Sequence, residues 1–126
     1  MSSTTYLDTL ILDKVFFADN FELSTSWYAA LFTQDPGKAG QLAFEVSAGE
    51  YARQAVTLST STYSNTNEIT YAVSLSSWGT VSHIGLVTAD TGGYLGVYGA
   101  ITGGPISVVA QELVKIAVGG IVIQMP

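Results

Sequence analysis

Ile69-Thr70-Tyr71-Ala72-Val73-Ser74-Leu75 alternates apolar and small or polar residues over seven positions. A period of two places Ile69, Tyr71, Val73 and Leu75 on one face of a half-buried strand. No other stretch of the chain carries so clean a period. On either side the same grammar continues in shorter pieces. Trp78-Gly79 breaks the strand, and Val81–Thr88 starts another with Gly85 inside it. Asp90-Thr91-Gly92-Gly93 is a hairpin turn, because paired glycines tolerate the positive φ of tight turns. Tyr94–Ala100 follows as its partner. Thr102-Gly103-Gly104-Pro105 is the next turn, and Ile106–Val109, Leu113–Val118 and Ile121–Met125 close the chain.

Upstream, Ser59–Asn67 is a polar loop, Phe44–Val46 and Tyr51–Ser59 are short strands, and Gln34–Gly40 is a loop set by Pro36 and Gly37. Only the N-terminus changes period. Leu7, Leu10, Ile11 and Val15 recur at spacings of three and four, which predicts a helix from about Thr5 to about Phe17. Asp8 near its start and Lys14 near its end suit the helix dipole. The expected fold is all-β: a single β-sandwich or jelly-roll of about eight short strands, preceded by an N-terminal α-helix. The division is a helical arm at 1–20 and a β-sandwich domain at 21–126.

The composition narrows the function. The chain has 126 residues, no Cys and one His, so disulfide scaffolds, thiolate metal sites and multi-histidine zinc sites are excluded. Four bases against ten acids give a net charge of -6, which disfavours a phosphate backbone as partner. Charged residues make up 11% of the chain, well under the usual value of about 25%. Yet the mean hydropathy is +0.36. No apolar run reaches the length of a membrane span, and residues 1–20 lack the basic start of a signal peptide. Ser and Thr, 27 of 126 residues, supply the polarity instead. Hydroxyls face water or a neighbour at little desolvation cost, so the surface reads as that of an assembly component.

No constellation for catalysis stands out. His83 lies in a strand without a nucleophile elbow, so it reads as structural or as a subunit contact. Glu45, Glu50, Glu68 and Glu112 sit at strand ends or turns, where solubility is the commoner use than a glycosidase pair. Asp90 has no second carboxylate beside it for calcium. The expectation is a non-enzyme with no cofactor and no metal. Trp27, Trp78 and the seven Tyr are either core anchors or a carbohydrate-stacking platform. Arg53, the sole arginine, is expected to hold a carboxylate; Glu45 and Glu50 are both near, and Glu50 is assigned as its structural ion-pair partner. The helix stripe and the aromatic segment after it, Leu7, Leu10, Ile11, Phe16, Phe17 and Phe21, are the assigned interface.

Trp27–Gly37 (Trp-Tyr-Ala-Ala-Leu-Phe-Thr-Gln-Asp-Pro-Gly), then Glu45–Thr57 with Glu-Val-Ser-Ala-Gly-Glu-Tyr-Ala-Arg-Gln, then Ser77-Trp78-Gly79-Thr80-Val81-Ser82-His83 and Thr91-Gly92-Gly93-Tyr94-Leu95 occur in one order. This pattern resembles a family of small tailed-bacteriophage virion proteins, often labelled tail fibre proteins and related to head decoration, or cement, proteins. The chain departs from it at Ala110-Gln111-Glu112, where a polar turn is expected, and in its more apolar final strands. The resemblance implies a virion structural protein on the capsid surface that binds the major capsid protein as a homo-oligomer, a trimer being favoured. The alternative it implies is a tail-associated fibre or adaptor protein that binds a host-surface carbohydrate or another tail protein. Deleting the chain up to about Asp19 would then abolish particle binding and leave the β-domain folded.

Overall fold

Five short strands hydrogen-bond into one antiparallel sheet in a computed structural model that describes residues 2–16, 26–59 and 63–123, with helix side chains described as far as residue 12. The elements are β1 (Ser2–Ser3), α1 (Thr5–Phe16), β2 (Trp27–Phe32), β3 (Gln54–Val56), β4 (Ile69–Thr70), β5 (Gly79–Val81), β6 (His83–Val87), β7 (Leu95–Ala100), β8 (Ile106–Val108) and β9 (Lys115–Ile116), with a 3-10 turn at Leu42–Phe44. The main sheet runs β1-β7-β6-β2-β3, and β4-β9 and β5-β8 form two-stranded pieces. The fold is therefore a small all-β structure behind one N-terminal helix, as the periodicities predict.

The period of two in β2 accounts for two cores. Ala29 and Leu31 point to one face, where they meet Leu86, Val97, Ile69, Tyr71, Trp78, Val81, Val108 and Ile121. Ala30 and Phe32 point to the other, with Val87 and Leu95 beneath Leu42, Phe44 and Tyr98. Leu95 and Val97 would share a face in a regular strand. They do not, because the register shifts so that Leu86 faces Val97 and Val87 faces Leu95, leaving Gly96 as the extra residue of a bulge. The Trp27 indole packs on Gly96, where a Cβ would lie 2.6 Å from Cζ3 and 2.7 Å from Cη2. Gly96→Ala should therefore cost about 1–3 kcal/mol, the usual price of overpacking, read as a lower urea midpoint at unchanged slope.

The two small pieces are one ribbon with a kink. Ile69 and Thr70 face Ile116 and Lys115, and Gly79, Thr80 and Val81 face Val108, Ser107 and Ile106. Between them the Tyr71 N–H donates to Val114 O (3.0 Å) and the Trp78 N–H to Val108 O (2.9 Å). So 69–81 runs antiparallel to 106–116 throughout. The kink overturns part of the expected alternation. Ile69 and Tyr71 are buried, but Val73 and Leu75 are exposed and Ser74 is fully buried. The Ser74 hydroxyl donates to Val109 O (2.6 Å) and accepts from the Glu112 N–H (2.9 Å). The Gln111 N–H donates to Ser74 O, with Gln111 at φ 66°. These bonds satisfy both chains where the ladder lapses, and they turn the strand's phase by one residue.

The start of the chain belongs to the sheet. Ser2 and Ser3 pair with Tyr98 and Val97 on β7. Thr4 is buried; its hydroxyl donates to Leu95 O (2.5 Å) and accepts from the Leu7 N–H (3.4 Å) as the N-cap of α1. A truncation meant to spare the β-domain must therefore begin after Thr4, since removing residues 2–4 strips an edge strand from β7.

Candidate functional site

A polar chain runs from the interior to the tip of the β6–β7 hairpin. It starts in the loop after β2. Asp35 Oδ1 accepts the Gly37 N–H (2.9 Å), and the Gln41 N–H donates to Pro36 O (3.0 Å), which folds 35–41 back on itself. The 3-10 turn then returns Glu45 beside Phe32 on the edge of β2. β3 pairs with the same strand, Gln54 opposite Ala29, so Arg53 arrives next to Glu45. Arg53 Nε and Nη2 donate to Glu45 Oε2 and Oε1, both at 2.8 Å, with side-chain exposures of 6% and 13%. This is the two-pronged geometry that suits a guanidinium.

Tyr51 completes the inner end. Its hydroxyl donates to Glu45 Oε2 (2.7 Å) and accepts the Leu31 N–H (2.9 Å). Burial, then neighbouring Tyr71 and Glu45, pushes its phenol well above the ordinary value, so it stays a neutral donor. Tyr71 is raised likewise by burial and by Glu45, and donates to Ala29 O (2.8 Å). The Tyr51 and Tyr71 rings stack at 5.9 Å, and the Trp78 ring stands edge-on to both.

The outer end holds the hairpin tip. Arg53 Nη1 donates to Ala89 O (2.8 Å) and Gly92 O (2.7 Å). Gly92 and Gly93 take the positive φ that the turn demands, 64° and 71°. The Thr88 N–H donates to Tyr94 O and the Tyr94 N–H to Thr88 Oγ1, both at 3.0 Å. Tyr94 stands 61% exposed and stacks on Tyr6 of α1, ring centroids 4.5 Å apart and planes 11° from parallel.

The assignment of Glu50 to Arg53 is corrected here. Glu50 Oε1 instead accepts from Trp78 Nε1 (2.9 Å) and from the Leu75 and Ser76 N–H groups (2.7 and 3.1 Å). The turn at 49–50 carries Glu50 toward the ribbon kink, while β2 brings Glu45 to Arg53. Of the assigned interface, Leu7, Leu10 and Ile11 are half-buried, and Leu7 packs on the main core. Asp8 pairs with Lys38, which with the Ser3 hydroxyl holds its carboxyl below the usual range. The side chain of Phe16, and Phe17 and Phe21 altogether, lie outside the described residues. His83 Nδ1 bonds the adjacent Ser82 hydroxyl (2.8 Å), and Nε2 is 4.0 Å from Asp35, too far to orient the ring as a triad does. Trp78 is buried and Trp27 half-buried, so neither forms an open platform.

A second surface was only hinted at by the apolar C-terminal third. A groove of about 680 Å³ has Leu31 and Ile84 in its lining and Ile106, Val108, Val114 and Ile116 from the ribbon beside them. Ile106, Val109, Leu113, Val118 and Val122 stand exposed on the same third of the chain. Lys115 lines the groove, and among the described residues no carboxylate does.

With this geometry established, comparison with known proteins identifies a family. The family described as Podophage GP4 fiber I protein gp80 matches residues 2–124. No curated protein matches the chain.

Proposed function

From the premise that the chain belongs to the Podophage GP4 fiber I protein gp80 family, and is thus a phage virion structural protein of the fibre type, we propose that it is a tail-associated fibre or adaptor subunit without catalytic activity. The match over residues 2–124 carries this reading. It favours the tail over the capsid-cement role that the sequence pattern put first, since the family's description is of a fibre. The polar groups agree with a structural role. Glu45 and Glu50, two of the four carboxylates weighed for a glycosidase pair, are bound to Arg53 and to Trp78, where they hold turns in place.

The subunit works as a homo-oligomer. The ribbon face offers a groove and, on its rim, the exposed side chains of Ile106 and Val122, so one face carries both shapes. In a chain of net charge -6, copies associate at least electrostatic cost on a face where, among the described residues, no carboxylate lines the groove. Ile106→Asp with Val122→Asp should convert the oligomer to monomer in light scattering at unchanged β-sheet circular dichroism, since both side chains are exposed and line the groove; a wild type that is monomeric at high concentration would refute self-association.

Quantitative mass spectrometry on separated heads and tails tests the location. A few copies per particle, confined to the tail fraction, is the expected result. Hundreds of copies in the head fraction would overturn it and restore the cement role.

A further inference from the structure

We propose that the tip of the β6–β7 hairpin is a binding site for a neutral pyranose sugar, with Tyr94, stacked on Tyr6, as its platform. The inference rests on the tail reading for its biological sense and on four observations for its chemistry. The first is investment. The side chain of the sole arginine is 6% exposed, and its Nη1 donates to two carbonyls of the tip, Ala89 O and Gly92 O. Desolvating a guanidinium is costly unless its donors are met, and of the four bonds that meet them two go to the tip. Here they fix a surface turn, and a fixed turn binds without first losing conformational freedom.

The second is the ring itself. A tyrosine in a core or a helix contact is covered, but Tyr94 is 61% exposed although Tyr6 covers one of its faces. The open face is flat, apolar and held parallel to a second ring. That is the surface on which the C–H groups of a pyranose pack, since the ring's negative face meets their positive edge. The third is the rim. Asp90 and Thr91 are exposed on the same turn and offer acceptors and a donor to sugar hydroxyls. The fourth is charge. With Asp90 at the tip and a net charge of -6, uronic acids and phosphorylated sugars are repelled. A cationic ligand is less well served, because one open ring face is not the cage that such ligands take. The class that remains is a neutral hexose or N-acetylhexosamine. A single small sugar on one ring binds on the order of millimolar, and an oligomer presenting several tips multiplies that through avidity.

The experiment is a titration of the full-length chain, labelled on tyrosine rings and backbone amides, with the methyl glycosides of glucose, galactose, mannose and N-acetylglucosamine, and with methyl glucuronide and choline as controls. The expected result is saturable shifts at Tyr94, Tyr6 and Asp90–Gly93 with at least one neutral glycoside. Tyr94→Ala should weaken that binding at least tenfold, and Tyr94→Phe should stay within threefold of wild type. Asp90→Ala with Thr91→Ala should weaken it at least threefold, which keeps the test open if Tyr94→Ala fails to fold. No shift with any neutral glycoside, shifts centred away from the tip, stronger shifts with choline, or wild-type binding by the folded Tyr94→Ala variant would each overturn the proposal. A tail location without sugar shifts removes this inference alone; a head location with sugar shifts removes the tail reading alone.

Discussion

Replacing Arg53 with alanine is expected to lower the unfolding free energy by about 3–5 kcal/mol, the range for breaking a buried ion pair from one side. Near 4 °C per kcal/mol for a chain of this length, the melting temperature should fall by roughly 12–20 °C. The reason is what stays behind. Glu45 is left at 13% exposure with the Tyr51 hydroxyl as its remaining described donor. Ala89 O and Gly92 O lose the Nη1 donor as well. Removing both charges together is a different matter. Arg53→Met with Glu45→Leu should recover most of the loss, because no stranded charge remains. It should not restore the tip, whose amide exchange ought to stay faster than wild type. Arg53→Lys belongs between these cases: it returns a charge without the fork that reaches Glu45 and two carbonyls at once. A loss below about 1 kcal/mol for Arg53→Ala would mean that the pair behaves as an exposed one.

That pairing also shows where sequence reading stops. Glu50 is nearer to Arg53 along the chain, and proximity along the chain selects it. Space selects Glu45, because the Asp35–Pro36–Gly37 loop folds back and sets Glu45 opposite Phe32 while β3 sets Arg53 two places along the same edge. The loop was legible from its proline and glycine, but its landing point was not. The same holds at Ser74. Alternation from Ile69 to Leu75 correctly gives an extended segment with Ile69 and Tyr71 inside. It cannot report that a hydroxyl finds Val109 O, 35 residues on, and reverses the phase. The helix, the Asp90–Gly93 turn and the all-β class depend on local chemistry and were readable. Thr4 capping the helix while bonding Leu95 O, 91 residues away, depends on the finished fold. So does the use of Tyr94: a tyrosine after two glycines reads as a strand start, and only the stack on Tyr6 and the Arg53 clamp mark it as a presented ring.

Trp78 carries the other large effect, and it couples packing to pH. Trp78→Ala should cost about 3–5 kcal/mol, since the side chain is buried against Tyr51 and Tyr71 and leaves a cavity between the sheet and the ribbon. Trp78→Phe fills much of that space and isolates the indole N–H. That N–H is the largest cause, ahead of Glu50's own N–H and those of Ser76 and Leu75, that pulls the Glu50 carboxyl from 4.5 to about 2. A carboxyl whose folded pKa lies below its unfolded value stabilises the fold above the unfolded pKa, and that contribution fades as pH falls toward the folded one. The window here is about pH 4.5 down to about pH 2. In Trp78→Phe the folded pKa should rise toward the ordinary value, so less is lost on acidification. The stability gap between wild type and Trp78→Phe should therefore be widest near neutrality and narrow across that window. Glu50→Gln, which cannot titrate, should give the Trp78→Phe change a gap that does not move with pH. Following the Glu50 carboxyl carbon by NMR reads the same shift directly. A gap of constant size from pH 7 to pH 2 would show that Trp78 acts through packing alone, and that the ribbon kink is held without the carboxylate.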